Sequence, residues 1–225
     1  MIKNISNLGD AALYCDFGTE VNKQINSEVI KYFNTIKEKN IEGINNLTPS
    51  YNKLIISYDL RVTNFKEIKD KVEKLNVKEA LKTHSKNLEI PVCCDASFSL
   101  DMERLEKKLS LTKEKILENF FNKEFFCYMT GFIAGMPFLG DLDENMRAQR
   151  LETPRVKVPK GSVGITEQFA DIYTFESPGG WNIIGNTPLE VFDSSKEKDP
   201  NLINPGDTIK FKQITLEEYN NYNEQ

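Results

Sequence analysis

The strongest constraint on this chain is a change of texture near its middle. From Phe125 onward, short apolar runs are cut at close intervals by turn formers, from Gly131, Gly135, Pro137 and Gly140 through Pro159, Gly161 and Gly164 to Pro178, Gly179, Gly180, Gly185 and Pro188. Short strands separated by turn chemistry read as an all-β barrel or sandwich. Pro205-Gly206-Asp207 ahead of Thr208-Ile209-Lys210-Phe211 reads as a turn that feeds a closing strand.

The first ninety or so residues follow another rhythm. Ala11 to Phe17 reads as a strand with Leu13, Cys15 and Phe17 on one face, and Val21, Ile25, Val29, Phe33 and Ile36 then recur at helical spacing. Leu54-Ile55-Ile56 marks a short buried strand within 53–58, Phe65, Ile68, Val72 and Leu75 mark a second helix, and Ile90 to Cys94 reads as a further strand. Such alternation gives a small sheet with helices packed on it. A helical lead-in over 99–121 follows: Leu100, Leu105 and Leu109 after a candidate N-cap at Ser99, then Ile116, Leu117, Phe120 and Phe121 after Thr112. Residues from Glu217 on read as polar and frayed. The expected class is α+β, with an α/β N-terminal domain over 1–88 and a β-barrel domain over 89–225. A length of 225 residues suits that division, at roughly 150 residues per domain.

Charge and composition narrow the function. Lys and Arg number 29 against 34 Asp and Glu, a net charge of −5. That balance lacks the basic excess of a phosphate-backbone binder, so no nucleic-acid partner is expected. The opening Met1 to Asn7 has no apolar signal core, and no apolar run approaches the ~18–20 residues that span a bilayer. The expectation is no membrane partner and a cytoplasmic location. Cys15, Cys93, Cys94 and Cys127 lack both zinc-ribbon spacing and a disulfide framework, and they read as buried free thiols in strands. His84 is the single histidine. A metal site of two or three histidines is therefore excluded within one chain, no metal is expected, and Ser-His-Asp or Cys-His chemistry would have to pass through His84. That residue lies in a polar stretch, Lys82 to Asn87, which reads as a solvated helix end or loop.

Three segments carry candidate chemistry. Gly131-Phe132-Ile133-Ala134-Gly135-Met136-Pro137-Phe138-Leu139-Gly140 is glycine-rich without a following Lys-Ser or Lys-Thr, so it is not a P-loop, and no Gly-x-Gly-x-x-Gly fingerprint occurs. It is either a ligand loop or a loop whose glycines take special backbone angles. In Ser177-Pro178-Gly179-Gly180-Trp181, Pro-Gly favours a type II turn whose amides could hold an anionic group; the alternative is a tight barrel turn pinned by a core Trp. Asp141, Asp143 and Glu144 precede Arg147, Arg150 and Arg155. Such a cluster serves acid–base work, holds a carboxylate substrate, or is a solvated salt-bridge network.

In this order the segments resemble a known family. The run Gly131-Phe132 to Leu142-Asp143, the block Thr153-Pro154-Arg155 with Val158-Pro159-Lys160-Gly161-Ser162-Val163-Gly164-Ile165, and Ser177 to Trp181 followed by Ile183-Ile184-Gly185-Asn186-Thr187-Pro188-Leu189 and Phe192-Asp193 are similar to its motifs, as are Gly9 to Leu13 and Ile90 to Cys93. The family is that of the 5-oxoprolinase B subunit, also called allophanate hydrolase subunit 1. It includes the KipI-type inhibitor of a sporulation histidine kinase and the related domain of urea carboxylase. The resemblance spans essentially the whole chain. It implies a small α/β N-terminal domain followed by a cyclophilin-like β-barrel, and pairing with a C subunit of homologous fold. The ATP-dependent opening of 5-oxoproline to glutamate then requires a third subunit, so ATP is used by the complex and no cofactor is bound by this chain alone. The shared active site is expected at or near the barrel surface and the interface with the C subunit. The alternatives are a regulatory protein with a histidine kinase as partner, and a subunit of the allophanate hydrolase or urea carboxylase type.

The chain departs from the family at several points. Phe120 stands where members commonly carry a histidine, Asn186 where they carry an arginine, Phe169-Ala170-Asp171 where they carry Gln-Thr-Gly, and Ala134-Gly135-Met136 where they carry Pro-Gly-Phe. Phe and Asn cannot take over proton transfer or carboxylate clamping from an imidazole and a guanidinium. The implication is a divergent paralogue with altered substrate or weak activity. No residue is assigned as catalytic. The expected ligand contacts are Arg155 pairing with a carboxylate, Ser162 donating a hydrogen bond, Gly179 and Gly180 offering amides, Phe138 and Trp181 forming an apolar wall, and Asp141.

Overall fold

Strand alternation and capped amphipathic helices build the first part of the chain. The computed structural model describes residues 2–77 and 85–222 and divides into two units, Met1–His84 and Ser85–Gln225. In the first, β1 (Asn4–Asn7), β2 (Ala12–Asp16), β3 (Ile44–Pro49) and β4 (Lys53–Tyr58) form an antiparallel sheet of order β1-β2-β4-β3. Helices α1 (Lys23–Lys39) and α2 (Phe65–Glu73) start where Asn22 and Asn64 accept hydrogen bonds from the amides of Ile25 and Glu67, satisfying donors that the first turn leaves free. Leu13 and Cys15 of β2 and Leu54, Ile56 and Tyr58 of β4 pack with Val29, Ile36, Ile68 and Val72 of the helices. The two edge strands, β1 and β3, have no counterpart in the sequence reading. Their Asn, Ser and Thr content hides the alternation that marks a buried strand.

The second unit is a closed barrel with helices on one flank. Its strands are β5 (Asn87–Cys93), β6 (Glu124–Thr130), β7 (Pro137–Gly140), β8 (Arg155–Val158), β9 (Ser162–Thr166), β10 (Phe169–Ile172), β11 (Ser177–Gly179), β12 (Asn182–Asn186) and β13 (Thr208–Ile214). Seven of them close in the order β10-β7-β6-β13-β5-β12-β9, while β8 and β11 make a separate two-stranded ribbon. Helices α3 (Met102–Leu109) and α4 (Lys113–Phe121) lie between β5 and β6, a 3₁₀ turn covers Glu144–Met146, and α5 (Leu216–Tyr222) follows β13.

Several expectations are corrected. The strand at Ile90, counted with the strand–helix alternation of the small sheet although the division at 88/89 assigns it to the second domain, is a barrel strand: β5 runs parallel to β13, from Asn87 opposite Thr208 to Cys93 opposite Ile214. Helix α3 begins after Asp101, and the Ser99 hydroxyl, a single donor, instead lies within hydrogen-bond distance of the carbonyls of Cys94, Asp95 and Ile184. Cys94 lies just past β5. Leu216–Tyr222 form a helix where the sequence reads as a frayed end. Thr215 accepts from the amide of Glu218 and Glu218 accepts from the amide of Thr215, a capping box that fixes the start of α5. His84 lies outside the described residues.

Strands β9, β10 and β12 are covered on both faces. Val163 and Ile165 of β9, Ala170 and Ile172 of β10, and Ile184 of β12 point inward to a core shared with Phe125, Phe211, Leu105 and Ile116. Phe120 is fully buried there, stacked on Phe211 with ring centroids 4.8 Å apart. Period-2 alternation turns Gly164, Asp171 and Ile183 to the outer face. Here Ile183 meets Met136, Val158, Tyr173, Ile133 and Trp181 in a second, smaller cluster.

Candidate functional site

This outer cluster collects the chain's most distinctive segments. Trp181 meets Phe138 edge-on with centroids 5.6 Å apart, Phe138 meets Phe169 at 6.4 Å, and Phe169 meets Tyr128 at 6.1 Å. Close approach explains two glycines. A Cβ at Gly179 would stand 2.1 Å from the Tyr173 hydroxyl, and one at Gly164 would stand 2.6 Å from Asp171 Oδ1 and 3.0 Å from the Trp181 Cβ. The type II turn expected at Pro178-Gly179 is not formed: Ser177–Gly179 is strand β11, paired with β8, and Gly179 is not among the glycines with positive φ. The glycine loop does contain a left-handed position, Gly135 at φ +72°, whose Cβ would meet the Phe192 ring at 2.4 Å.

The charged residues are not brought together as one cluster. Arg155 forms a two-pronged ion pair with Asp101, Nη1 to Oδ2 at 2.9 Å and Nη2 to Oδ1 at 2.6 Å. Asp101 is buried, and its Oδ2 also accepts from the amide of Ile183 at 2.7 Å. Arg155 is therefore engaged inside the protein and pins the start of α3 to β8 and β12. Asp143 pairs with Lys123, and Arg147 donates to the carbonyl of Leu142. Asp141 accepts from the Tyr128 hydroxyl at 2.8 Å. Desolvation, and then that carboxylate, push the Tyr128 hydroxyl up. Ser162 is buried at the start of β9, with its amide bonded to the carbonyl of Pro159 and its carbonyl to the amide of Tyr173.

Arg150 is different. It is exposed, and among the described residues it forms no ion pair. A Cβ at Gly180 would stand 3.1 Å from both Nε and Nη2 of Arg150, so the guanidinium lies against the Gly180 backbone. The amide of Leu151 donates to the Gly180 carbonyl at 2.6 Å and fixes that register.

Asp171 is the functional candidate that sequence reasoning did not select. Its residue is 0% exposed; Oδ1 accepts from the amide of Gly164 at 3.0 Å, and Oδ2 is buried without a partner. Burial raises its carboxyl well above the ordinary range, against a smaller lowering from the Gly164 bond. The available signal was a charged residue inside the apolar stretch Phe169–Ile172. Tyr173 next to it is pushed up by desolvation first and by Asp171 second, while Arg150 and Arg155 act in the opposite direction.

The altered family positions have local structural roles. Phe120 is a core ring in α4. Asn186 donates to the carbonyl of Lys160 at 2.9 Å and accepts from the Tyr219 hydroxyl at 2.8 Å, tying α5 to the barrel. Among the described residues, no three His, Cys, Asp or Glu side chains are grouped to hold a metal, and no helix is long and apolar enough to cross a membrane. The cysteines are free and buried.

Comparison with known proteins follows the same lines. Residues 3–203 match the family described as carboxyltransferase domain, subdomain C and D. The chain is 34% identical over 233 aligned positions to the 5-oxoprolinase B subunit of Bacillus subtilis (strain 168), covering 98% of this chain and 97% of that one. It is 32% identical to the protein of the same name from Haemophilus influenzae, covering 92% and 96%. Among solved structures, TTHA0988 superposes with a TM-score of 0.80 at 27% identity over 90% of this chain, and this chain spans 40% of TTHA0988. With several of its motifs meeting on one barrel face and nearly its whole length matched, this chain belongs to the carboxyltransferase-domain family and, within it, to the group of 5-oxoprolinase B subunits.

Proposed function

We propose that this chain is the B subunit of an ATP-dependent 5-oxoprolinase-type assembly that opens 5-oxoproline to glutamate. The observation that carries the reading is convergence. Segments far apart in sequence, Gly131–Gly140, Arg155–Val158, Gly164 and Ser177–Trp181, meet on the outer face of β9, β10 and β12. Close similarity over nearly full length to B subunits of 5-oxoprolinase supports it. In this reading Phe138 and Trp181 form the apolar wall of the site, Gly179 and Gly180 line it with backbone, and Asp141 and Ser162 sit at its margins. Arg155 holds Asp101 and with it the frame of the site. ATP is handled by the partners, a homologous-fold C subunit and a third subunit, and the complex works in the cytoplasm.

The test is co-expression with the cognate partner subunits. The expected result is a stable complex that forms glutamate from 5-oxoproline only when ATP and all subunits are present. Absence of both the complex and glutamate overturns the reading.

A further inference from the structure

The described chain buries three carboxylates, Asp101, Asp171 and Asp207. Two are satisfied on both oxygens. Asp101 takes Arg155 and the Ile183 amide, and Asp207 takes the amides of Lys86 and Asn204, each at 2.8 Å. Of these three, only Asp171 keeps a buried carboxylate oxygen without a partner. A buried polar atom left unmade costs about 1–3 kcal/mol, so its retention calls for a reason. Because Oδ1 already accepts the Gly164 amide, the proton of the neutral acid belongs on Oδ2, which is then a donor lacking an acceptor. An uncharged carbonyl oxygen is a suitable acceptor; an ammonium group is not.

Asp171 is enclosed, with no exposed surface of its own. Gly164 beside it packs against the Cβ of Trp181, whose indole is half-buried and held by an edge contact to Phe138. Gly179 and Gly180 precede it without side chains, and the indole packs against the cluster of Met136, Val158, Tyr173 and Ile183. Arg150 lies against Gly180, and both Asp171 and Arg150 act on the same Tyr173 hydroxyl. A donor for a neutral carbonyl and an unpaired cation thus flank one aromatic wall.

We propose that the outer face binds a small cyclic amide bearing a carboxylate at two points, Arg150 taking the carboxylate and Asp171 Oδ2 donating to the amide carbonyl as Trp181 moves aside. The site needs no covalent step in this chain. It rests on the proposed function only for the choice of a lactam acid as the ligand. It assigns to Arg150 the role that sequence alone gave to Arg155.

Trp181 is the single tryptophan, so intrinsic fluorescence of the full chain reads this site. The chain is titrated with 5-oxoproline, with proline (a carboxylate without the lactam) and with 2-pyrrolidinone (a lactam without the carboxylate). The expected order is 5-oxoproline tightest, by roughly tenfold over either fragment, as charge-assisted and neutral hydrogen bonds each contribute. Arg150→Ala lowers 5-oxoproline to the level of 2-pyrrolidinone and leaves 2-pyrrolidinone unchanged, and Arg150→Lys recovers part of the loss. Asp171→Leu lowers 5-oxoproline to the level of proline, while Asp171→Asn, which keeps a donor, retains most of the binding. Unchanged 5-oxoproline binding in Arg150→Ala and Asp171→Leu overturns the site. So does the absence of any response from the wild-type chain both alone and in the assembled complex. Glutamate formation by the complex with an unaltered KM in Arg150→Ala refutes the site and leaves the proposed function standing. Arg150-dependent binding of 5-oxoproline in a complex that forms no glutamate supports the site and refutes the proposed function.

Discussion

Replacing Arg155 by alanine distinguishes a structural ion pair from a substrate clamp. The substitution leaves Asp101, whose side chain is 4% exposed, with the Ile183 amide as its remaining side-chain donor. Breaking a buried pair from one side costs ~3–5 kcal/mol. Arg155 is itself 28% exposed, so the pair is partly screened and the lower end, about 3 kcal/mol, is expected. The reverse change, Asp101→Ala, lets Arg155 turn to water but orphans the amide of Ile183, a loss of about 2 kcal/mol. The double variant is expected near the smaller of the two values, so the cycle yields a coupling of about 2–3 kcal/mol. Urea unfolding followed by Trp181 fluorescence measures this directly, since the tryptophan lies in the same unit as the pair. Arg155→Ala within about 0.5 kcal/mol of wild type, with 5-oxoproline binding lost, would refute the structural account and return Arg155 to the ligand.

Three further outcomes follow from the same geometry. Gly179→Ala places a Cβ 2.1 Å from the Tyr173 hydroxyl in a strand paired with β8; a stability loss of about 1–3 kcal/mol is expected, and an unchanged urea midpoint would show that the ribbon yields freely. Asp171 is raised in the folded state, so it stabilises the fold fully only below its unfolded value of about 4 and less as pH climbs toward the folded value, by at most about 1.4 kcal/mol per pH unit. Asp171→Asn removes that slope, and parallel pH profiles of unfolding free energy for variant and wild type would contradict it. Burial pushes the thiols of Cys15 and Cys94 up to about 12 and that of Cys127 further, so Ellman's reagent is expected to label none of the four cysteines in the native chain and all four after unfolding.

Sequence pattern revealed those parts of the fold whose signal is local. Glycine and proline spacing marked the barrel, and period-3.6 stripes marked α1, α2 and α4. What escaped depends on partners distant in the chain. Pairing of β5 with β13 joins residues more than a hundred positions apart, and nothing within Asn87–Cys93 distinguishes a barrel strand from a strand of the small sheet. The outer layer escaped for a related reason. Strands β9 and β12 are buried at every position, so no alternation advertises that one face looks into a core and the other into a site. For the same cause Arg155 read as free, because Asp101, which occupies it, lies 54 residues upstream. Asp171 read as a departure from a motif instead of a feature, since a single acid between Ala170 and Ile172 acquires its meaning only when it is seen buried beside Gly164, with one oxygen bonded and the other without a partner. A charged residue at the outward position of a strand whose inward neighbours are both core is thus the pattern to weigh: water cannot satisfy it, and this fold supplies only half of what it needs.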